Sequence, residues 1–285
     1  MGTRGREIVG MDVDFLYEFS PSDIRDLRIA KARLENPGLA ARLADLVGKP
    51  IDQAMRSLPA GLNNAAVDIA RRALLRGLNL AIRTLGSSKR VKSRDRLHKI
   101  LVAGSGIAGG AAGIAAAALE IPISTTIMLR SIAEIARSEG HDIAQIETKL
   151  ACLEVFALGG RSSWDDSVEE GYWVVRAALA RSVSQAAAFI GRRGLAEEGA
   201  PPIVRLISTI AARFSVVITD EMAAKAIPVI GAVAGGAINV AFMQHFQQMA
   251  RGHFVIRRLE NKYGTSRVQN LYRDISLNTQ HLEIN

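Results

Sequence analysis

Apolar positions in this chain recur with helical spacing almost from end to end, and convincing strand-like alternation is absent. Residues 62–85 show it best: Val67, Ile69, Ala70, Leu74, Leu75, Leu78, Ile82 and Leu85 fit one long helix, with Arg71, Arg72, Arg76 and Arg83 giving it basic surface. Upstream, Ser20-Pro21-Ser22-Asp23 is a helix start signal, and Asn36-Pro37-Gly38, Gly48-Lys49-Pro50 and Leu58-Pro59-Ala60-Gly61 are breaks. Helical patterns cover 141–158 and 172–190, separated by a polar loop at 159–171. Pro201-Pro202 opens another helix through Phe214, and after Arg251 the pattern stays helical to about Leu277. Val216-Val217-Ile218 has the composition of a short extended piece. The expectation is an all-α chain, with an extension at 1–20, a single helical domain at 21–277 and a tail at 278–285.

Two segments are apolar over a much longer run. Residues 100–129 hold one charge, Glu120, and Pro122; residues 226–250 hold no Asp, Glu, Lys or Arg. The first begins KILVAGSGIAGG (99–110), in which Gly104, Gly106 and Gly109 spell G-x-G-x-x-G. A dinucleotide loop needs a strand before it, a helix after it and an acid about 20 residues on that meets the ribose. That acid is missing, as are further βαβ units. KAIPVIGAVAGG (225–236) aligns with the same stretch without gaps and replaces Gly104 and Gly106 by Ile230 and Ala232. Four-residue small spacing survives in both, as Gly106/Gly110 and Gly109/Gly113 in the first and Gly231/Gly235 in the second. Glycines so spaced let a neighbouring helix approach closely. The fold expected is therefore a multi-helix bundle around a central pair of Ala/Gly-rich, closely packed helices, without a cofactor. Ala and Gly carry little transfer energy, so packing or surface docking is expected ahead of full spanning, although the length suffices to span.

Charge changes the picture of partners. The net charge is +8 and the sequence pI about 10.0, which suits an anionic partner. The connector GSSKRVKSRDRLHK (86–99) carries Lys89, Arg90, Lys92, Arg94, Arg96 and Lys99 against one acid. It lacks interleaved aromatics or a recognisable nucleic-acid module, so nucleic acid is not the expected partner. Beside an apolar segment these bases suit anionic headgroups, as do Arg251, Arg257, Arg258 and Lys262 after the second segment. The first fifteen residues have no continuous apolar core of a signal peptide, and Cys152 is the only cysteine; a cytoplasmic protein is expected.

Catalytic chemistry is sparse. The five histidines, His98, His141, His245, His253 and His281, form no zinc motif, and no metal site is expected. Cys152 in ACLEVFAL reads as a buried thiol, and Asp165, Asp166, Glu169 and Glu170 as a solvated acidic loop without EF-hand spacing. Glu120, Arg130, Glu154, Asn239, His245 and His253 are polar groups in apolar runs, costly to bury unless paired, and are read as polar pins between helices. Glu120 and Arg130 lie too far apart along one straight helix to pair directly.

LVGKPIDQAMRSLP (46–59), LEIPISTTIMLRSIAEIARSEG (119–140), CLEVFALGG (152–160) and AIPVIGAVAGGAINVAFMQHFQQMARGHFVIRRLENKYG (226–264) together resemble the EcsC protein family, in the same order over about 34–272. The resemblance implies an intracellular, mainly helical bacterial protein with an association to membranes. It supplies no catalytic residues to carry over. Taken together, the expected function is a non-enzymatic cytoplasmic protein docking peripherally on an anionic membrane surface or a membrane protein complex. The alternatives are a helical binding protein for a lipid or other apolar ligand, and, behind it, a nucleotide-dependent enzyme.

Overall fold

The structure, a computed structural model, describes residues 19–35, 62–84, 113–160, 171–194, 200–225 and 228–275. Among these residues there are eight helices and no strand: α1 (Pro21–Glu35), α2 (Leu62–Thr84), α3 (Gly113–Ser138), α4 (Ile146–Gly159), α5 (Gly171–Arg193), α6 (Pro201–Lys225), α7 (Pro228–Tyr263) and α8 (Thr265–Asp274). The chain is all-α.

Local signals explain most of the boundaries. α1 starts at the expected place: Ser20 Oγ accepts from the Asp23 N–H at 3.2 Å and donates to the Asp23 carboxylate at 2.7 Å, with Pro21 in the first turn. α3 ends at Gly140, whose φ of 92° only glycine adopts without strain. There the Gly140 and His141 N–H groups return to the carbonyls of Arg137 and Ala136, closing the helix end. Gly264, at φ 88°, likewise separates α7 from α8. Pro122 lies inside α3. One expectation fails. Val216-Val217-Ile218 is helical, because α6 runs on to Lys225 and buries Val217 and Ile218 on its core face.

The innermost helix is α4. Twelve consecutive residues, from Thr148 to Gly159, are buried. A helix can be buried on all sides only when others surround it, and α2, α3, α5, α6 and α7 all pack on α4. The two long apolar helices α3 and α7 also pack on each other. Phe156, Phe214 and Phe246 from α4, α6 and α7 form an aromatic cluster with ring centroids 4.8–5.6 Å apart. α1 and α8 complete the bundle against α7.

Among the described residues, Gly159, Gly160 and Gly252 allow close approach. A Cβ at Gly159 would run into Phe246 and one at Gly160 into the Arg213 backbone. One at Gly252 would lie 2.6 Å from Leu34 Cγ and 3.0 Å from the Ala30 carbonyl oxygen. Gly106, Gly109 and Gly110 fall outside the described residues. Gly113 opens α3, and Gly231 and Gly235 lie near the start of α7.

Candidate functional site

A buried gathering of ionisable side chains lies where α4, α5 and α7 meet. α7 is long enough to present His253, Arg257 and Glu260 in successive turns to its neighbours, α5 adds Tyr172 and Arg176 one turn apart, and the buried α4 adds Glu154. Arg176 makes a two-pronged pair with Glu260, at 2.9 and 3.0 Å, and donates to the Tyr172 hydroxyl at 3.3 Å. The Tyr172 hydroxyl lies 3.1 Å from His253 Nδ1. A guanidinium only donates, so the tyrosine accepts from Arg176. On its other side the imidazole faces Glu154, with Nε2 3.7 Å from Oε2; Arg257 lies 3.9 Å from the same oxygen. Neither Glu154 Oε2 nor His253 Nε2 has a hydrogen-bond partner.

Burial dominates the protonation of this cluster. It holds His253 well below the usual histidine range, with the Arg257 and Arg176 charges and His141 acting the same way. Burial pushes Glu154 up, although Arg257 and Arg176 pull it down. It also pushes Tyr172 above the ordinary phenol range and the Cys152 thiol up to about 12, so neither is an activated nucleophile. What the arrangement does is hold a neutral imidazole between a phenol and a carboxyl, and fasten three helices together through them.

Tyr172 also borders a cavity lined by Leu34, Leu158, Gly171, Val175, Arg213 and Met249, whose 10 Å³ of space for a water's centre is about what one water needs. No acyl chain fits there. Among the described residues, no three His, Cys, Asp or Glu side chains gather into a metal-ligating group.

The other polar positions separate clearly. Glu120 and Asn239 are buried and hydrogen-bond to each other between α3 and α7. Further along the same two helices, Gln247 donates to Ser131 at 2.9 Å. His245 donates through Nε2 to the Gly159 carbonyl at 3.0 Å and Arg213 to that of Ala157, so two end carbonyls of α4 are satisfied. Arg130 is a correction: it is exposed, on the opposite side of α3 from the core, and pins nothing. Sequence reasoning missed Tyr172, Arg176 and Glu260 as members of the cluster. The available signal was Arg176, an arginine one turn from Tyr172 and Trp173 in an otherwise Ala- and Val-rich helix.

The bases divide in the same way. Arg258 pairs with Asp26 at 2.7 Å and Glu139 at 3.6 Å, Lys262 with Asp23 at 2.7 Å, and Arg257 turns toward Glu154. Arg251 is half-buried. This group, expected to meet an anionic surface, is thus largely engaged within the chain. Arg71, Arg72 and Arg76 of α2 are exposed, and no carboxylate among the described residues pairs with them. Lys89, Arg90, Lys92, Arg94, Arg96 and Lys99 lie outside the described residues. One described stretch, Pro201–Ala223, is long and apolar enough to cross a membrane, but more than half of it is buried in the bundle.

No curated protein and no solved structure matches the chain. The sequence profile of the EcsC protein family matches residues 41–259, which include all of α2 to α6 and most of α7, with every member of the buried cluster except Glu260. The chain belongs to the EcsC protein family.

Proposed function

We propose that this protein is non-enzymatic and acts by docking peripherally, from the cytoplasm, on an anionic membrane surface. The observation that carries the reading is the solvent face of α2. Ala66, Ile69, Ala70, Ala73, Leu74 and Leu78 fix the helix to the core, which leaves Arg71, Arg72 and Arg76 facing outward against a single acid, Asp68. In the sequence this face leads directly into the connector with six bases between Lys89 and Lys99. Guanidinium groups suit phosphate geometry, and each base close to an anionic leaflet contributes about 1 kcal/mol. The apolar-ligand alternative finds no support in the cavity beside Tyr172, which is too small.

Flotation with vesicles tests the reading. The protein should be recovered with vesicles of phosphatidylserine in phosphatidylcholine and not with phosphatidylcholine alone, and recovery should fall as salt shortens the screening length. Replacing Arg71, Arg72 and Arg76 together by Gln should weaken binding on the order of a hundredfold. Equal recovery on neutral and anionic vesicles, or none on either, would overturn the proposal.

A further inference from the structure

The thirty-residue apolar segment at 100–129 has one ionisable group, and the structure turns that group inward: Glu120 is buried and bonded to Asn239 of α7. The outer face of α3 before Arg130 therefore presents no charge. Ile123 stands on that face and is 57% exposed, more than any other large apolar side chain among the described residues. Ile127 follows one turn on, half-buried, and Arg130 two turns on, exposed. Thr126 lies between them, but its hydroxyl donates to the Pro122 carbonyl at 2.9 Å and is turned back on its own helix. The result is two turns of apolar surface ending at a cation. α2 crosses α3 where Gly77 meets Leu129, the Cβ position of the glycine being 3.0 Å from the leucine methyl. Beside that crossing each helix has an exposed arginine, Arg76 and Arg130.

We propose that the outer face of α3 around Ile123 is the part of this protein that enters an anionic bilayer, inserting below the headgroups that α2 and Arg130 hold. The inference rests on the docking reading above and names the contact that reading leaves open. An exposed isoleucine two turns from an exposed arginine, with the segment's one acid sequestered, has the chemistry of a shallow interfacial anchor. Charge brings the surface close, and the apolar side chain gains transfer energy once there.

An environment-sensitive fluorophore attached to Ile123→Cys tests it. The native Cys152 is buried, with its thiol pushed up to about 12, so it does not compete for the label. The emission should shift to the blue on phosphatidylserine–phosphatidylcholine vesicles and stay unchanged on phosphatidylcholine. The same label on Ser184→Cys, on the exposed side of α5, should not respond. Unlabelled Ile123→Asp should bind anionic vesicles about tenfold more weakly while keeping the melting profile of the parent. If the protein floats with anionic vesicles but the label at 123 keeps its aqueous emission, or both labels shift alike, the anchor is refuted and the docking reading stands. If nothing floats, both fall.

Discussion

His253 has no exposed surface, and its ring is held between the Tyr172 hydroxyl and the Glu154 carboxyl. The two acid–base groups of this pair make stability respond to pH in opposite directions. Burial first, then Arg257 and Arg176, keeps His253 neutral well below its ordinary 6.5. As pH falls below 6.5 the unfolded chain takes up a proton that the folded chain refuses, so stability declines toward acid, by up to about 1.4 kcal/mol per pH unit. Glu154 is raised above its ordinary 4.5, so the folded state keeps a proton that the unfolded state releases. Its contribution is a stability that declines as pH rises from 4.5 through the raised value. In wild type the two slopes oppose each other where their ranges overlap, above 4.5 and below 6.5. Glu154→Gln removes one of them, and urea titrations across that window should show the variant losing stability toward acid more steeply than wild type. His253→Gln should show the reverse, and parallel curves for all three proteins would mean that neither group is displaced. The sequence marked both residues as polar groups in apolar helices, but Tyr172 stands 81 positions from His253, and Arg176 stands 84 from Glu260. Such pairings follow from how helices are stacked, which one-dimensional spacing does not carry.

At the level of elements, α1 shows how tightly a short helix can be seated. Its Leu27, Ala30 and Leu34 are buried, and Gly252 of α7 leaves room for the backbone at Ala30. Gly252→Ala would set a methyl 2.6 Å from Leu34 Cγ and 3.0 Å from the Ala30 carbonyl, and a backbone atom cannot step aside as a side chain can. The expected cost is about 1–3 kcal/mol, with amide exchange over 21–35 accelerated before the rest of the bundle. Gly77→Ala meets only the Leu129 methyl, at 3.0 Å, and gains helix propensity, so its change should stay within about 1 kcal/mol. Acid should loosen the same helix. Burial works to raise Asp23, but hydrogen bonds from Lys262, Tyr263 and Ser20 outweigh it and bring the carboxyl from 3.8 to about 2. The stability it lends α1 is full above 3.8 and lost as pH falls through about 2, so exchange at 21–35 should rise over that interval, and Asp23→Asn should abolish the rise. The start of α1 was legible because capping is local: serine, proline and aspartate within four positions. The seat at Gly252 was not, since a lone glycine in a helical run looks the same whether it faces solvent or a neighbouring backbone.

For the molecule as a whole, the all-α class was readable because every long segment shares one period, whereas the division of charge was not. The sequence groups Arg257, Arg258 and Lys262 with the bases of the connector, yet Arg258 and Lys262 are matched by Asp26 and Asp23, 232 and 239 positions away. A net charge of +8 is therefore spread unevenly: the end of α7 is largely neutralised from within, and the face of α2 is not. This separation predicts two variants that fail in different assays. Arg258→Ala removes pairs to Asp26 and Glu139 at a partly exposed site, and should lower stability by up to about 1 kcal/mol while leaving vesicle binding intact. Arg72→Glu alters a side chain without a carboxylate partner among the described residues, and should change stability by no more than about 0.5 kcal/mol. It also exchanges attraction for repulsion at an anionic leaflet, about 2 kcal/mol in total, so vesicle binding should fall at least tenfold. Denaturation midpoints and flotation on the same two proteins decide the matter. Should Arg258→Ala weaken flotation as much as Arg72→Glu does, the charge that meets the membrane is not confined to α2, and the internal pairs at the end of α7 must open when the protein docks.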